Sequence, residues 1–202
     1  MRDAIYFLVF EGFADWQAAL ALCEIRRPGD WEVQTVGFSR AQVTSMGGLC
    51  VQPELTLDQL DDARAAMLIV PGGHLWQRGE GAPAVAAMRQ LHAAGAVVAG
   101  IDSGMLALAR AGLLDDCRHT GNWSGQIAAQ VPTYAGAEQY DAEVLAVSDG
   151  GVISASHLGS VEFAREVIRT LDLYGPTDRD HWYRLFKHAQ LPPWCVGEAM
   201  AA

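Results

Sequence analysis

Ala96 to Leu114 reads AVVAGIDSGMLALARAGLL, and this stretch decides the fold. Ala96 to Ile101 is a short unbroken apolar run, the pattern of a strand buried on both faces of a parallel sheet. Ser103 to Ala111 follows as an amphipathic helix. Between them, Gly100-Ile101-Asp102-Ser103-Gly104 has the form G-x-(nucleophile)-x-G at a strand-to-helix junction. Small residues there permit a tight turn that lifts one side chain above the sheet, and here that side chain is Asp102. The competing reading is a plain helix N-cap by Asp102 or Ser103.

Working outward, similar apolar runs occur at Ala4 to Phe10, Trp31 to Phe38, Ala66 to Val70 and Gly151 to Ala155. Helical stretches are expected at Trp16 to Ile25, Ala82 to Ala94 and Val161 to Leu173. Strands that alternate with helices predict an α/β fold, a flavodoxin-like three-layer sandwich with a mostly parallel sheet and a nucleophile elbow. Val43 to Val51, around Gly47-Gly48, and Val144 to Ile153, around Asp149-Gly150-Gly151, read as hairpins. The main domain is expected over 1–175. Residues 176–202 form an aromatic extension with a helix at Thr177 to Gln190 and with His181, Trp182, Tyr183, Phe186 and Trp194, packed on the same domain or on a dimer partner.

The 202 residues, 50% hydrophobic and 19% charged, suffice for one substantial core. A formal charge of −10 opposes binding to nucleic acid or to an anionic membrane surface. Lys187 is the single lysine, which argues against Schiff-base chemistry. The cysteines at 23, 50, 117 and 195 have no zinc-site spacing and no dense disulfide pattern, so neither metal nor cofactor is expected. The N-terminus lacks the pattern of a signal peptide or a membrane span, and a cytoplasmic location is expected.

Ligands of an open α/β sheet bind beyond the carboxyl ends of the strands. Asp15, Trp16 and Gln17 follow the first strand, and Gly73, His74 and Trp76 follow the third. Together with EGFADWQ, the IVPGG turn at Ile69 to Gly73, GIDSG at Gly100 to Gly104, ALARAGLLDDCRHTGNW at Ala107 to Trp123 and SHLGSVEFA at Ser156 to Ala164, the chain resembles the DJ-1/PfpI (ThiJ/PfpI) superfamily of class I glutamine amidotransferase-like proteins.

The resemblance implies a homodimer, a cysteine at the elbow, an acidic partner at the Gln17 position, a histidine at the Asn122 position, and oxyanion donors on the backbone of Gly73 and Ser103. This chain departs from it three times, with Asp102, Gln17 and Asn122. A carboxylate cannot do thiolate chemistry. The Gln17 amide can instead hold an ionised Asp102, where two carboxylates in contact would repel. His119 is expected to face away from Asn122, as a structural or surface residue. His74 is an acid/base candidate or a surface group. Trp16, Trp76 and Trp123 line a pocket with Phe13, or fill core and dimer contacts. His157 reaches the rim of that pocket, or serves the turn before the last helix.

Three functional readings stay open. In the first, a hydrolase- or amidotransferase-type pocket binds a small ligand or does carboxylate-dependent hydrolase or hydratase-like chemistry, with Asp102, Gln17 and His74 as its working groups. In the second, a non-catalytic stress-response or interaction protein uses Asp102 as a permanent likeness of an oxidised cysteine. In the third, an Asp-nucleophile hydrolase forms an ester on Asp102. Asp102 is in addition either native or an engineered replacement of a cysteine in a cysteine-dependent hydratase or hydrolase.

Overall fold

A computed structural model describes residues 2–193 and 195. Its seven-stranded sheet contains β1 (Ala4–Leu8), β2 (Glu32–Gly37), β5 (Leu55–Thr56), β6 (Ala65–Val70), β7 (Val97–Ile101), β8 (Ala146–Asp149) and β9 (Val152–Ala155). The strand order is β5-β2-β1-β6-β7-β9-β8, parallel throughout except for β8. All five residues of β1 are buried, as an apolar strand covered on both faces must be. The order reverses between β1 and β6, so the loops after β1, β6 and β7 meet at the switch point where α/β folds hold their ligands.

Helix α1 (Asp15–Arg26) packs on α6 (Ser160–Thr170), and α3 (Ala82–Ala93) packs on α4 (Gly104–Arg110). These pairs form the outer layers of an α/β flavodoxin-like sandwich. The hairpin expected around Gly47-Gly48 is β3 (Val43–Thr44) with β4 (Cys50–Val51), a separate two-stranded sheet. The second expected hairpin joins β8 to β9 at the sheet edge. Gly150 and Gly151 both have positive φ there, as a tight two-residue turn requires. Five short elements have no counterpart in the sequence reading: β5, α2 (His74–Gln77), α5 (Ser124–Gln130) and the 3-10 turns at Leu57–Gln59 and Ala137–Gln139. None is long enough to show a period.

The expected extension helix is α7 (Pro176–His188), packed on α6 of its own chain with Trp182 buried. Trp194 and residues 196–202 lie outside the described residues. Glu162 on α6 anchors α7 by accepting from Tyr183 Oη at 2.9 Å and Lys187 Nζ at 2.8 Å. Burial pushes its carboxyl up, but Lys187, its own backbone amide and Tyr183 outweigh this and hold it below the usual value. A carboxyl with a depressed folded pKa stabilises above its unfolded value, near 4.5, and loses that contribution as the pH falls through the folded value. The α7 docking is therefore expected to weaken by about 1 kcal/mol on acidification. Hydrogen exchange of α7 against pH checks this, and unchanged protection in acid would refute it.

Candidate active site

The chain leaves β7 at Ile101 and enters α4 at Gly104, and Asp102 between them has φ 57°. This left-handed conformation strains a residue with a side chain and holds it where the sheet ends. Asp102 N–H donates to the Ala155 carbonyl at 2.9 Å, which ties the elbow to the end of β9. Gly104 permits the tight entry into α4, because a Cβ there would lie 2.6 Å from the Val70 carbonyl oxygen.

Both oxygens of Asp102 are held. Gln17 Nε2 donates to Oδ2 at 2.9 Å and Asn122 Nδ2 to Oδ1 at 2.7 Å. The other end of each amide is fixed as well. Gln17 Oε1 accepts from Gly72 N–H at 2.7 Å, and Asn122 Oδ1 accepts from His157 N–H at 2.9 Å, with His157 Nδ1 at the same distance. Because a carboxylate oxygen only accepts, these contacts orient both amides, and His157 Nδ1 must then carry its ring proton. In the neutral ring Nε2 is left as an acceptor. Gly72 is required here, since a Cβ on it would fall on Asp102 Oδ2.

A cavity of about 300 Å³ opens over Asp102, lined by Trp16, Gln17, Met46, Gly73, His74, Gln77, Ser103, Asn122 and His157. His74 sits on its wall, with Nδ1 3.0 Å from Gln77 Oε1. Trp16 is 52% and Met46 47% exposed, so the mouth is apolar on one side. Met46 was not singled out from sequence, because it reaches the site only through the β3–β4 hairpin.

Several expected positions differ. Trp76 is fully buried, packs edge-on to Phe10 with centroids 5.3 Å apart, and donates Nε1–H to the Pro71 carbonyl at 2.9 Å. It is core, and so is Phe13, which packs against Phe7 and Phe10. Asp15 braces the hairpin, accepting from Ser45 Oγ at 3.0 Å and Gly47 N–H at 3.1 Å, and does not line the cavity. Trp123 is exposed beside Asn122 and is also not a lining residue. Gly73 N–H donates to Ser103 Oγ at 2.9 Å, and that hydroxyl donates back to the Gly73 carbonyl at 3.2 Å. One of the two expected oxyanion donors is thereby engaged within the protein, which leaves the Ser103 N–H.

His119 is buried among Tyr134 and Tyr140, with Nδ1 on the Cys117 carbonyl at 2.8 Å and Nε2 on Tyr134 Oη at 2.6 Å. Burial pushes its imidazole down, and it does not touch Asp102. Cys117 is likewise buried, its thiol pushed up to about 11 by burial. A second cavity of about 340 Å³ lies between α1 and α7. Its buried carboxylate, Glu24, already accepts from Arg27 Nη2 at 2.9 Å and Tyr174 Oη at 2.6 Å. Among the described residues no cluster of three or more metal-ligating side chains occurs, and no helix is long and apolar enough to cross a membrane.

Residues 3–170 match the DJ-1/PfpI family. The chain is 30% identical over 190 residues to the uncharacterized protease YoaZ of Bacillus subtilis, covering 91% of this chain and 90% of that protein. It is 32% identical over 171 residues to a deglycase of Thermococcus kodakarensis, covering 83% and 98%. Its fold is similar to that of a DJ-1 superfamily protein from Agrobacterium tumefaciens, with a TM-score of 0.85, 33% identity, and coverage of 93% of this chain and 100% of that one. The elbow, the Gly72-Gly73 turn, the sheet order and these likenesses agree: the chain belongs to the DJ-1/PfpI family.

Proposed function

We propose that the Asp102 cavity binds a small molecule and uses the carboxylate as hydrogen-bond acceptor and general base, in hydrolase- or hydratase-like chemistry that needs no thiol. The observation that carries this reading is the clamping of both Asp102 oxygens by amides that are themselves fixed. A carboxylate has about four acceptor positions, so one remains on each oxygen after Gln17 and Asn122 are counted. Asp102 takes a proton from a water, the water oxygen adds to an electrophilic carbon of the substrate, the Ser103 N–H meets the developing oxyanion, and the same proton returns from Asp102 to that oxyanion or to the leaving group, with His74 Nε2 on the cavity wall as the acceptor that can relay it. Relatives named as a protease and a deglycase support a hydrolase-like setting. The Gln17–Asp102 bond supports the two departures from the family pattern as a native pair, and codon 102 in the source genome tests that directly.

The test is binding and turnover of small aldehydes, esters and amides by the chain and by its Asp102→Asn and Asp102→Ala variants. Turnover is expected to fall at least a hundredfold in both variants, the scale of a general-base contribution. Alkylation of the cysteines is expected to leave it unchanged, since no described cysteine lines the cavity. Full activity in Asp102→Ala would overturn the reading, and heavy oxygen from water entering the Asp102 carboxylate during turnover would favour the ester mechanism instead.

The engaged Gly73 N–H favours one alternative, a non-catalytic protein in which Asp102 imitates an oxidised cysteine. That alternative expects ligand or partner binding with no turnover and no response to peroxide. A homodimer and a cytoplasmic location complete the proposal. Exposed Leu49, Trp123 and Leu158 near the site support an association face, and sedimentation tests it.

A further inference from the structure

We infer that the ligand of the Asp102 cavity is a protonated amine with a small apolar or aromatic body. The inference rests on the proposed role of Asp102 as an acceptor. The lining contains one carboxylate and no lysine or arginine. Its one formal charge is therefore negative. Asp102 offers one open position on each oxygen, and neutral His157 offers Nε2 because its Nδ1 faces Asn122 Oδ1. His74 stands on the same wall, with Nδ1 facing Gln77 Oε1 at 3.0 Å.

On the donor side, the N–H groups of Gly72, Gly73 and Asp102 are bonded to Gln17, Ser103 and Ala155, and the donors that remain on the lining, the Ser103 N–H and the side-chain N–H groups of Trp16 and Gln77, are all uncharged. A carboxylate or phosphate ligand would meet a fixed negative charge with the Gly73 half of the oxyanion hole closed. An ammonium group brings three donors and a positive charge, which is the complement of this lining.

The apolar side of the mouth sets the rest of the ligand. Half-exposed Trp16 and Met46 stand on the same cavity as Asp102. An indole face attracts a cation and packs on an aryl or alkyl body, and a thioether adapts to its shape. Two further carboxylates hold the Met46 hairpin against the start of α1: Asp15 through Ser45 and Gly47, and Glu11 through Thr44 N–H at 2.9 Å. The surroundings of the mouth are therefore acidic, and the chain as a whole carries −10, so the long-range field also favours a cation.

Benzylammonium, benzyl alcohol and benzoate form the test series, titrated by NMR at about pH 8, where the amine is charged and the carboxylates are ionised. Benzylammonium is expected to bind about tenfold more tightly than benzyl alcohol, the difference between a charge-assisted and a neutral hydrogen bond, and benzoate not to bind. Added salt is expected to weaken the amine and to leave the alcohol unchanged, a readout on the unaltered chain. Asp102→Asn is expected to reduce the amine to the level of the alcohol.

Equal or tighter binding of the alcohol or benzoate, or an amine preference that survives in Asp102→Asn, overturns the inference. If neutral compounds bind in an Asp102-dependent way with no preference for the amine, the inference fails while the proposed function stands. If nothing in this series or in the aldehyde, ester and amide panel binds, both fail.

Discussion

Replacing Trp76 by Ala is expected to lower the unfolding free energy by about 3–5 kcal/mol, the range for removing a large buried aromatic. The side chain is fully buried and touches the Phe10 ring, so its removal loses apolar burial and leaves a void that the tight turn beside it cannot fill. Its Nε1–H also satisfies the Pro71 carbonyl, one residue before the Gly72 N–H that orients Gln17. The loss therefore spreads to the site: without this tie the 71–73 turn loosens, and ligand binding falls together with stability. Trp76→Phe separates the two contributions. It keeps most of the packing, and about 1–2 kcal/mol is expected for the lost hydrogen bond and the smaller ring. Urea denaturation with an unchanged slope measures both, and a loss under 1 kcal/mol in Trp76→Ala would show that the indole does not support the turn.

A Gln17→Glu variant is expected to be destabilised by about 2–4 kcal/mol near pH 8 and by much less near pH 4. The new carboxylate keeps the acceptor for Gly72 N–H, but its second oxygen replaces the Nε2 that lies 2.9 Å from Asp102 Oδ2. Position 17 is almost completely buried, so desolvation adds to the repulsion, and one of the two groups must take up a proton. The folded state then binds more protons than the unfolded state above the ordinary carboxylate range. Stability accordingly falls as the pH rises, opposite in sign to the Glu162 effect at α7. Adding Asp102→Asn restores an amide–carboxylate pair in reversed order and is expected to recover most of the loss. A flat pH profile for Gln17→Glu would mean that the two side chains have moved apart.

The architecture was legible because strands buried on both faces are written as unbroken apolar runs, as in Ala66 to Val70, and because an elbow needs its glycines at set places. Gln17 and Asn122 were reachable only through their place in the resembled pattern, since Asp102 lies 85 and 20 residues away from them. The direction of Trp76 was not legible. A tryptophan after a strand serves a pocket or a core equally well until its N–H finds a partner, and the Pro71 carbonyl becomes that partner only once the four-residue helix α2 has turned the ring inward. Asp15 misled for a related reason. It opens α1, but its hydrogen bonds run to a hairpin 30 and 32 residues onward, where no local periodicity points. The Gly73 N–H was expected to be free, and no rule of sequence reveals that the neighbouring Ser103 hydroxyl folds back to cover it.

The amides around Asp102 join five separate segments: the start of α1, the turn after β6, the elbow, the loop at Asn122 and the turn after β9. They act as a non-covalent cross-link spanning most of the chain, and a growing polypeptide cannot close it until His157 has been synthesised. Contacts of such sequence separation cost loop-closure entropy before they reward it, so the pocket is expected to be completed late in folding. A molecule seated on Asp102 consequently braces the ends of β6, β7 and β9 together, and its binding free energy is added to the stability of the fold.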